Sequence, residues 1–293
     1  MHHTSALLGL YTQTSLHAGA GSSAGVIDLP IQREGHSGWP CIFGSGVKGA
    51  LRAHANQQGV AREQIQAVFG PDTQNAAEHG GAIMVGDARL VLLPVRSLTT
   101  YFKWVTCPAA LQRLKMDATR LGLGKFWDYP VPEMPDDEVA WTPVSGETLF
   151  LEEYRFGTEV KNLSPLIDVL ARLMKRTDAK DALQRQLVVI SDDRFSDLVQ
   201  QATPVTAHTR LDSDTKTVTH GALWYEETLP PETLMTVALT AVGARRKDLG
   251  MSAQKVLQTV LDTFPASRPW LQVGGNETVG MGWCEICAVQ DGD

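Results

Sequence analysis

The sequence predicts an α+β fold whose core is an antiparallel sheet. Stretches with strand and helix periodicity mingle without the regular strand–helix repeat of a doubly wound sheet, and several helical stretches stop at a glycine. No internal repeat or low-complexity linker marks a boundary, so the 293 residues are expected to form a single domain, and 43% hydrophobic content is enough for its core.

"ALLGLYTQT" alternates like a strand from Ala6 to Thr14, and a long loop runs from His17 to Phe43. "GSGVKGALRAHANQQG" reads as a helix capped by Ser45, with Val47, Ala50, Leu51 and Ala55 at helical spacing and Gly59 as its stop. "REQIQAVFG" is a second, short helix. "GAIMVGDARLVLLPV" is a strand or hairpin, and "CPAALQRLKMDATRLG" a helix ending at Gly122. An irregular insertion is expected from Gly122 to Gly146. A strand in "ETLFLEEYRFGTEV", a helix in "SPLIDVLARLMKRT", a short buried strand in "QLVVISD" and a helix in "DDRFSDLVQQA" follow. Around 203–228 two Thr/Val-rich arms flank the turn "LDSDTK", which predicts a protruding hairpin. The strand "TLMTVALTAV", a helix near Met251 to Thr263 and a strand pair around "LQVGGNETVGMGWCEICAV" complete the chain.

Composition narrows the function classes. A net charge of −7 argues against a free-standing protein that grips nucleic acid by bulk charge, although cations bunch at Lys48 with Arg52, at Lys175 with Arg176, and at Arg245, Arg246 and Lys247. No apolar run reaches the roughly 18 to 20 residues of a membrane helix, and the first residues lack signal-peptide character, so a cytoplasmic protein with no membrane partner is expected. Four scattered cysteines suit reduced thiols. Only Cys284 and Cys287 have ligand-like spacing, and strand alternation sends them to opposite faces, which favours two strand cysteines over a zinc site.

Each motif admits two readings. "GAGSSAG" is followed by "VIDLPIQ", with Pro30 and β-branched residues, rather than by the helix a dinucleotide fingerprint needs. "GSGVKGALR" has Gly49 where a P-loop has Ser or Thr. It leaves a helix start with Lys48 and Arg52 at i and i+4, either an anion site or an ordinary helix with solvated cations. The glycines of "VGGNETVGMGW" suit either close approach to a phosphate or a tight bulged hairpin. In "GVIDLPIQRE", Val26, Ile27 and Leu29 are expected to anchor the loop and Pro30 to stiffen its exit. Asp28 is then either a structural aspartate bonded to loop amides or a held functional carboxylate. Glu226 and Glu227 close a strand and read by position as solvated.

Taken in order, "LHAGAGSSAGVIDLPIQRE", "WPCIFGSGVKGALR", "RLDSDTKTVTHGALWYEETLP" and "VGGNETVGMGW" resemble the RAMP superfamily of CRISPR proteins, and within it the backbone subunits of type III-B (Cmr) effector complexes. The resemblance implies a modified RRM-like, ferredoxin-like core (the palm) with an inserted thumb hairpin, and copies of the subunit stacked in a helical filament on a guide RNA beside other Cmr subunits. It further implies cleavage of a complementary single-stranded target RNA at regular intervals. By the same resemblance Asp28 is the cutting residue, with His17 and Glu226 near the cut. Ser45, Lys48, Arg52, Arg245, Arg246, Gly274, Gly275 and Gly280 fall in the RNA-binding set.

Chemistry fits that assignment. RNA carries its own nucleophile, the 2′-hydroxyl, and a thumb that splays out one nucleotide would permit the in-line attack that helical RNA forbids. Asp28 could act as a base or as a ligand for a divalent cation, Mg²⁺, and His17 could protonate the leaving oxygen. Two rivals stand beside this reading: a non-cutting RNA-binding backbone subunit, and a metal-dependent small-molecule hydrolase using Asp28, Glu34 and His36.

Overall fold

A computed structural model describes residues 3–291 except 72–78, 99, 128, 134–135, 145–147 and 246–248. At its centre lies β1 (Thr4–Thr12), paired antiparallel with β12 (Leu234–Ala241) on one side and β14 (Trp283–Val289) on the other. Alternation sends Ala6, Leu8 and Leu10 to one face, where they pack with α1 (Gly44–Gln57), α2 (Arg62–Phe69) and α7 (Ala253–Leu261). Leu7 and Tyr11 point the other way, onto α3 (Pro108–Arg120), α4 (Ser164–Ala171) and α5 (Ala179–Gln186). With both faces covered, β1 reads as a nearly continuous apolar run. Gly9 is required at its middle, because a Cβ there would stand 2.1 Å from the Leu173 carbonyl oxygen just after α4.

The sheet continues from β12 through β4 (Ala88–Arg96), β5 (Phe102–Thr106), β9 (Leu187–Val189), β6 (Val139–Thr142) and β8 (Tyr154–Val160) to β7 (Leu149–Leu151). At its other end β13 (Trp270–Gln272) borders β14, while β2 (Cys41–Ile42) pairs with β4 and β3 (Ile83–Val85) with β12. The expected antiparallel sheet therefore needs correcting. Its β13-to-β5 part is antiparallel, but β9 joins β5 and β8 joins β6 in parallel, so the whole is mixed. Strand β6 also lies within the stretch expected to be irregular. Its four residues show period-2 burial too briefly to stand out in sequence, and the same brevity hides β2. Strand β5 and helix α5 were likewise not predicted.

The third core cluster packs α6 (Asp192–Gln201) against β4, β5 and β9, and Ser191 caps α6 by accepting from Arg194 N at 3.3 Å. The predicted hairpin forms as β10 (Val205–Leu211) and β11 (Val218–Glu227), a separate two-stranded sheet with largely exposed arms. Cys284 and Cys287 do face opposite sides. The first is buried beside α7's face of the sheet, where burial pushes its thiol up to about 12, and the second donates to the Arg172 carbonyl at 3.2 Å. No helix among the described residues is long and apolar enough to cross a membrane.

Candidate functional site

The loop after β1 does not hang free. Leu29 N donates to Tyr225 O at 3.0 Å and Glu227 N donates to Leu29 O at 3.0 Å, so the loop meets the free edge of β11 through a single parallel bridge at Leu29. In a strand, successive residues aim their main-chain groups at alternate edges. Residues 225 and 227 aim theirs at this loop while 226 pairs with Thr206 of β10.

Asp28 uses that edge directly. Its Oδ2 accepts from Tyr225 N at 2.8 Å, and Oδ1 has no hydrogen-bond partner among the described residues. The structural expectation was a bond to the loop's own amides; the bond is instead to a strand almost 200 residues away. The anchors also differ from expectation. Val26 is 92% exposed, Ile27 and Leu29 are half-buried, and Ile31 is the apolar residue of this segment that enters the core.

His17 hangs from the same edge. Its Nδ1 lies 2.8 Å from Glu227 O, and because a carbonyl only accepts, Nδ1 carries the proton. Nε2 is then an acceptor in the neutral ring and a donor in the imidazolium. The anchor points of Asp28 and His17 are two residues apart on β11, about 7 Å along a strand. Gly19 and the Gly-rich loop shape the surroundings. A Cβ on Gly19 would sit 2.8 Å from His17 Nε2, and one on Gly274, whose φ is +87°, would sit 2.4 Å from His17 O. Gly275 N donates to that same oxygen at 2.9 Å.

Glu226 and Glu227 correct their reading as solvated residues: they are 4% and 2% exposed. Glu227 is fully engaged, accepting from Arg33 Nη2 at 2.6 Å, Thr203 Oγ1 at 2.7 Å and Ile31 N at 3.1 Å. Breaking a buried pair of this kind costs about 3–5 kcal/mol, so Glu227 holds the loop to the hairpin. Glu226 gathers three elements. Oε1 accepts from Asn276 Nδ2 of the Gly-rich loop and lies 3.6 Å from His17 Nδ1, and Oε2 lies 3.8 Å from His208 Nε2 on β10. The structure thus brings Asp28, His17, Glu226, Gly274 and Gly275 together. Asn276, Arg33, Gly19 and His208 escaped sequence reasoning. Only Asn276, inside a glycine cluster that needs positive φ, offered a local signal.

The other candidates lie apart. The α1 helix starts at an N-cap Phe43 and Ser45 sits exposed in its first turn, so Ser45 is not the cap. Asp87 fills that role from outside, its Oδ1 accepting from Gly44 N at 2.6 Å. A helix turns about 100° per residue, which puts Ser45, Lys48 and Arg52 on one stripe and Gly46, Ala50 and Ala53 on another well round the helix. The second stripe, with Gly274, Glu277 and Trp283, lines a cavity of about 350 Å³. Arg52 Nη1 donates to Gly70 O at 3.1 Å and Pro71 O at 3.2 Å, tying α1 to the end of α2. Burial and the neighbouring Arg52 lower the Lys48 pKa. Gly280 (φ +85°) is exposed in the loop closing the β13–β14 hairpin, where Val273 N donates to Gly282 O at 2.9 Å; a hairpin forms as the sequence suggests, but its register runs without a bulge and its long loop also contacts His17. Arg245 is exposed beside Gly80, and Arg246 lies outside the described residues.

The metal-hydrolase arrangement does not form. Glu34 accepts from Arg113 Nη1 at 2.7 Å, Arg113 stacks on Trp39, and no group of three or more His, Cys, Asp or Glu among the described residues could hold a metal ion.

A family model for the RAMP superfamily matches residues 10–285. The chain belongs to the RAMP superfamily. Among RAMP relatives it is 37% identical over 284 residues to the CRISPR system Cmr endoribonuclease Cmr4 of Pyrococcus furiosus, covering 96% of this chain and 94% of that one. It is 25% identical over 305 residues to the CRISPR system CMR subunit Cmr4 of Saccharolobus solfataricus, covering 95% and 94%. The crystal structure of oligomeric Cmr4 from Pyrococcus furiosus superposes with a TM-score of 0.73 at 29% identity over 99% of both chains. A chain of the type III-B Cmr-beta complex bound to cognate target RNA shares the RAMP fold, with a TM-score of 0.77 at 22% identity over 97% of this chain and 96% of that one.

Proposed function

We propose that this RAMP protein is the guide-RNA-binding backbone subunit of a type III-B Cmr complex, and the endoribonuclease that cuts complementary target RNA within it. Asp28 and His17, held by main-chain groups two residues apart on one edge of β11, carry the reading. A base and an acid held side by side in this way suit the two ends of a phosphodiester. Asp28 Oδ1 takes the proton of the 2′-hydroxyl, whose oxygen attacks the adjoining phosphorus. The bond to the 5′-oxygen breaks, and the His17 imidazolium protonates that oxygen from Nε2. The products are a 2′,3′-cyclic phosphate and a 5′-hydroxyl end. Glu226 Oε1 lies 3.6 Å from the proton-bearing Nδ1, on the side of the ring away from the leaving oxygen.

A divalent cation fits only as a shared ligand. With Oδ2 committed to Tyr225 N, Asp28 offers one oxygen, which would hold Mg²⁺ in place of taking the proton; the ion would then supply charge neutralisation at the phosphate.

The strand order β14-β1-β12-β3, with α1 following β1 and α7 preceding β14, supports a ferredoxin-like palm. The exposed β10–β11 sheet takes the part of the thumb. Guide RNA runs over the exposed arc of α1 and the Gly-rich loop, and copies stack along it in the cytoplasm. In complexes assembled on one guide, Asp28→Ala should retain the guide and lose about 10²- to 10⁴-fold in target cleavage on a gel. Equal cutting by both complexes would leave only the RNA-binding role.

A further inference from the structure

We propose that His208 is a positioning residue for the cut, acting through Glu226 on His17; this rests on the reading of His17 as the acid. Glu226 is buried, and its carboxylate sits among side chains from three elements. Oε1 has Asn276 and the nearby His17, while Oε2 lies 3.8 Å from His208 Nε2. That nitrogen is buried and lacks a hydrogen-bond partner among the described residues. The unsatisfied imidazole nitrogen faces that carboxylate oxygen.

Register explains why. His208 pairs across the hairpin with Trp224, so Glu226, two residues along β11 on the same face, is its diagonal neighbour. The imidazole stacks on the Trp224 ring with centroids 5.6 Å apart at 16°, which fixes its plane. Closing the diagonal by roughly 1 Å brings Nε2 and Oε2 within hydrogen-bond range. The groups facing this pair are His17 from the loop after β1, Asn276 from the Gly-rich loop and Glu226 itself. Through Glu226, His208 links the hairpin to the loop that carries His17, so the acid is set by the hairpin's position.

The test assembles complexes on one guide from wild type, His208→Phe, His208→Gln, Glu226→Gln and the His208→Phe/Glu226→Gln double variant. Target binding and single-turnover cleavage are measured on each. The phenyl ring keeps the Trp224 stack but cannot donate; the glutamine amide can. His208→Phe should cut about tenfold more slowly with unchanged target affinity, as losing a group that orients a reacting side chain does. His208→Gln should recover most of the rate, and His208→Phe should cost nothing further in the Glu226→Gln background. Wild-type cutting by His208→Phe, no recovery by His208→Gln, or a full additive loss in the double variant would each overturn the assignment. If His208→Phe fails to assemble, His208→Leu replaces it in the same comparison. A wild-type complex that does not cut at all overturns the proposed function, and this inference with it.

Discussion

Gly19 shows how closely single atoms govern this site. A methyl group at position 19 would stand 2.8 Å from His17 Nε2, the nitrogen assigned to the leaving oxygen. Gly19→Ala should therefore leave assembly intact and slow single-turnover cleavage on the order of 10- to 100-fold, the scale of a 1 Å misplacement. An unchanged rate would mean that Nε2 does not touch the reaction. At this scale the sequence was informative about Asp28, because a carboxylate flanked by apolar residues and a proline is uncommon in a surface loop. It misled about Glu226 and Glu227. Their burial comes from Arg33, Thr203 and Asn276, which adjoin them only once the chain has folded. It also misled about Val26, since the residue that enters the core is Ile31.

Strand β14 offers a test of the sheet itself. Glu285 sits opposite Tyr11 and Trp270, and burial raises its pKa above the ordinary carboxylate value despite the partly offsetting charges of Lys175 and Arg176. A raised carboxyl pKa favours the fold while the group is protonated. That benefit is complete below the unfolded value, about 4.3, and is lost as pH rises through the folded value. At pH 7 the ionised group is a net cost. Glu285→Gln should accordingly raise the Tm at pH 7, with the difference fading as pH falls below about 4. A Tm unchanged at pH 7 would place the carboxylate in water. Periodicity predicted α1, α2, α3, α6, α7 and β12 well because their apolar spacing is regular. It missed β5 and α5, and β2 and β6 are too short for a period to register.

Across the molecule, charge and shape act separately. The net charge of −7 leaves RNA binding to local groups, and α1 concentrates Ser45, Lys48 and Arg52 on one stripe. Lys48→Ala should weaken guide binding and reduce the salt slope by about 0.7, one single-strand phosphate contact. Arg52→Ala should also lower the Tm, because its guanidinium holds the carbonyls of Gly70 and Pro71. Guide affinity across a salt series, with melting curves for both variants, separates the two roles; an unaltered slope for Lys48→Ala removes that residue from the interface. The sequence by itself determined the α+β class, the family and the loop that carries Asp28, since each depends on residue type and order along the chain. Only the tertiary structure decided that Asp28 and His17 share one edge of β11, that a buried Glu226 gathers His17, His208 and Asn276, and that the cationic stripe and the Gly-rich loop meet different sides of α1. These depend on which main-chain groups a strand leaves unpaired and where a helix turns its faces, and both are settled by packing.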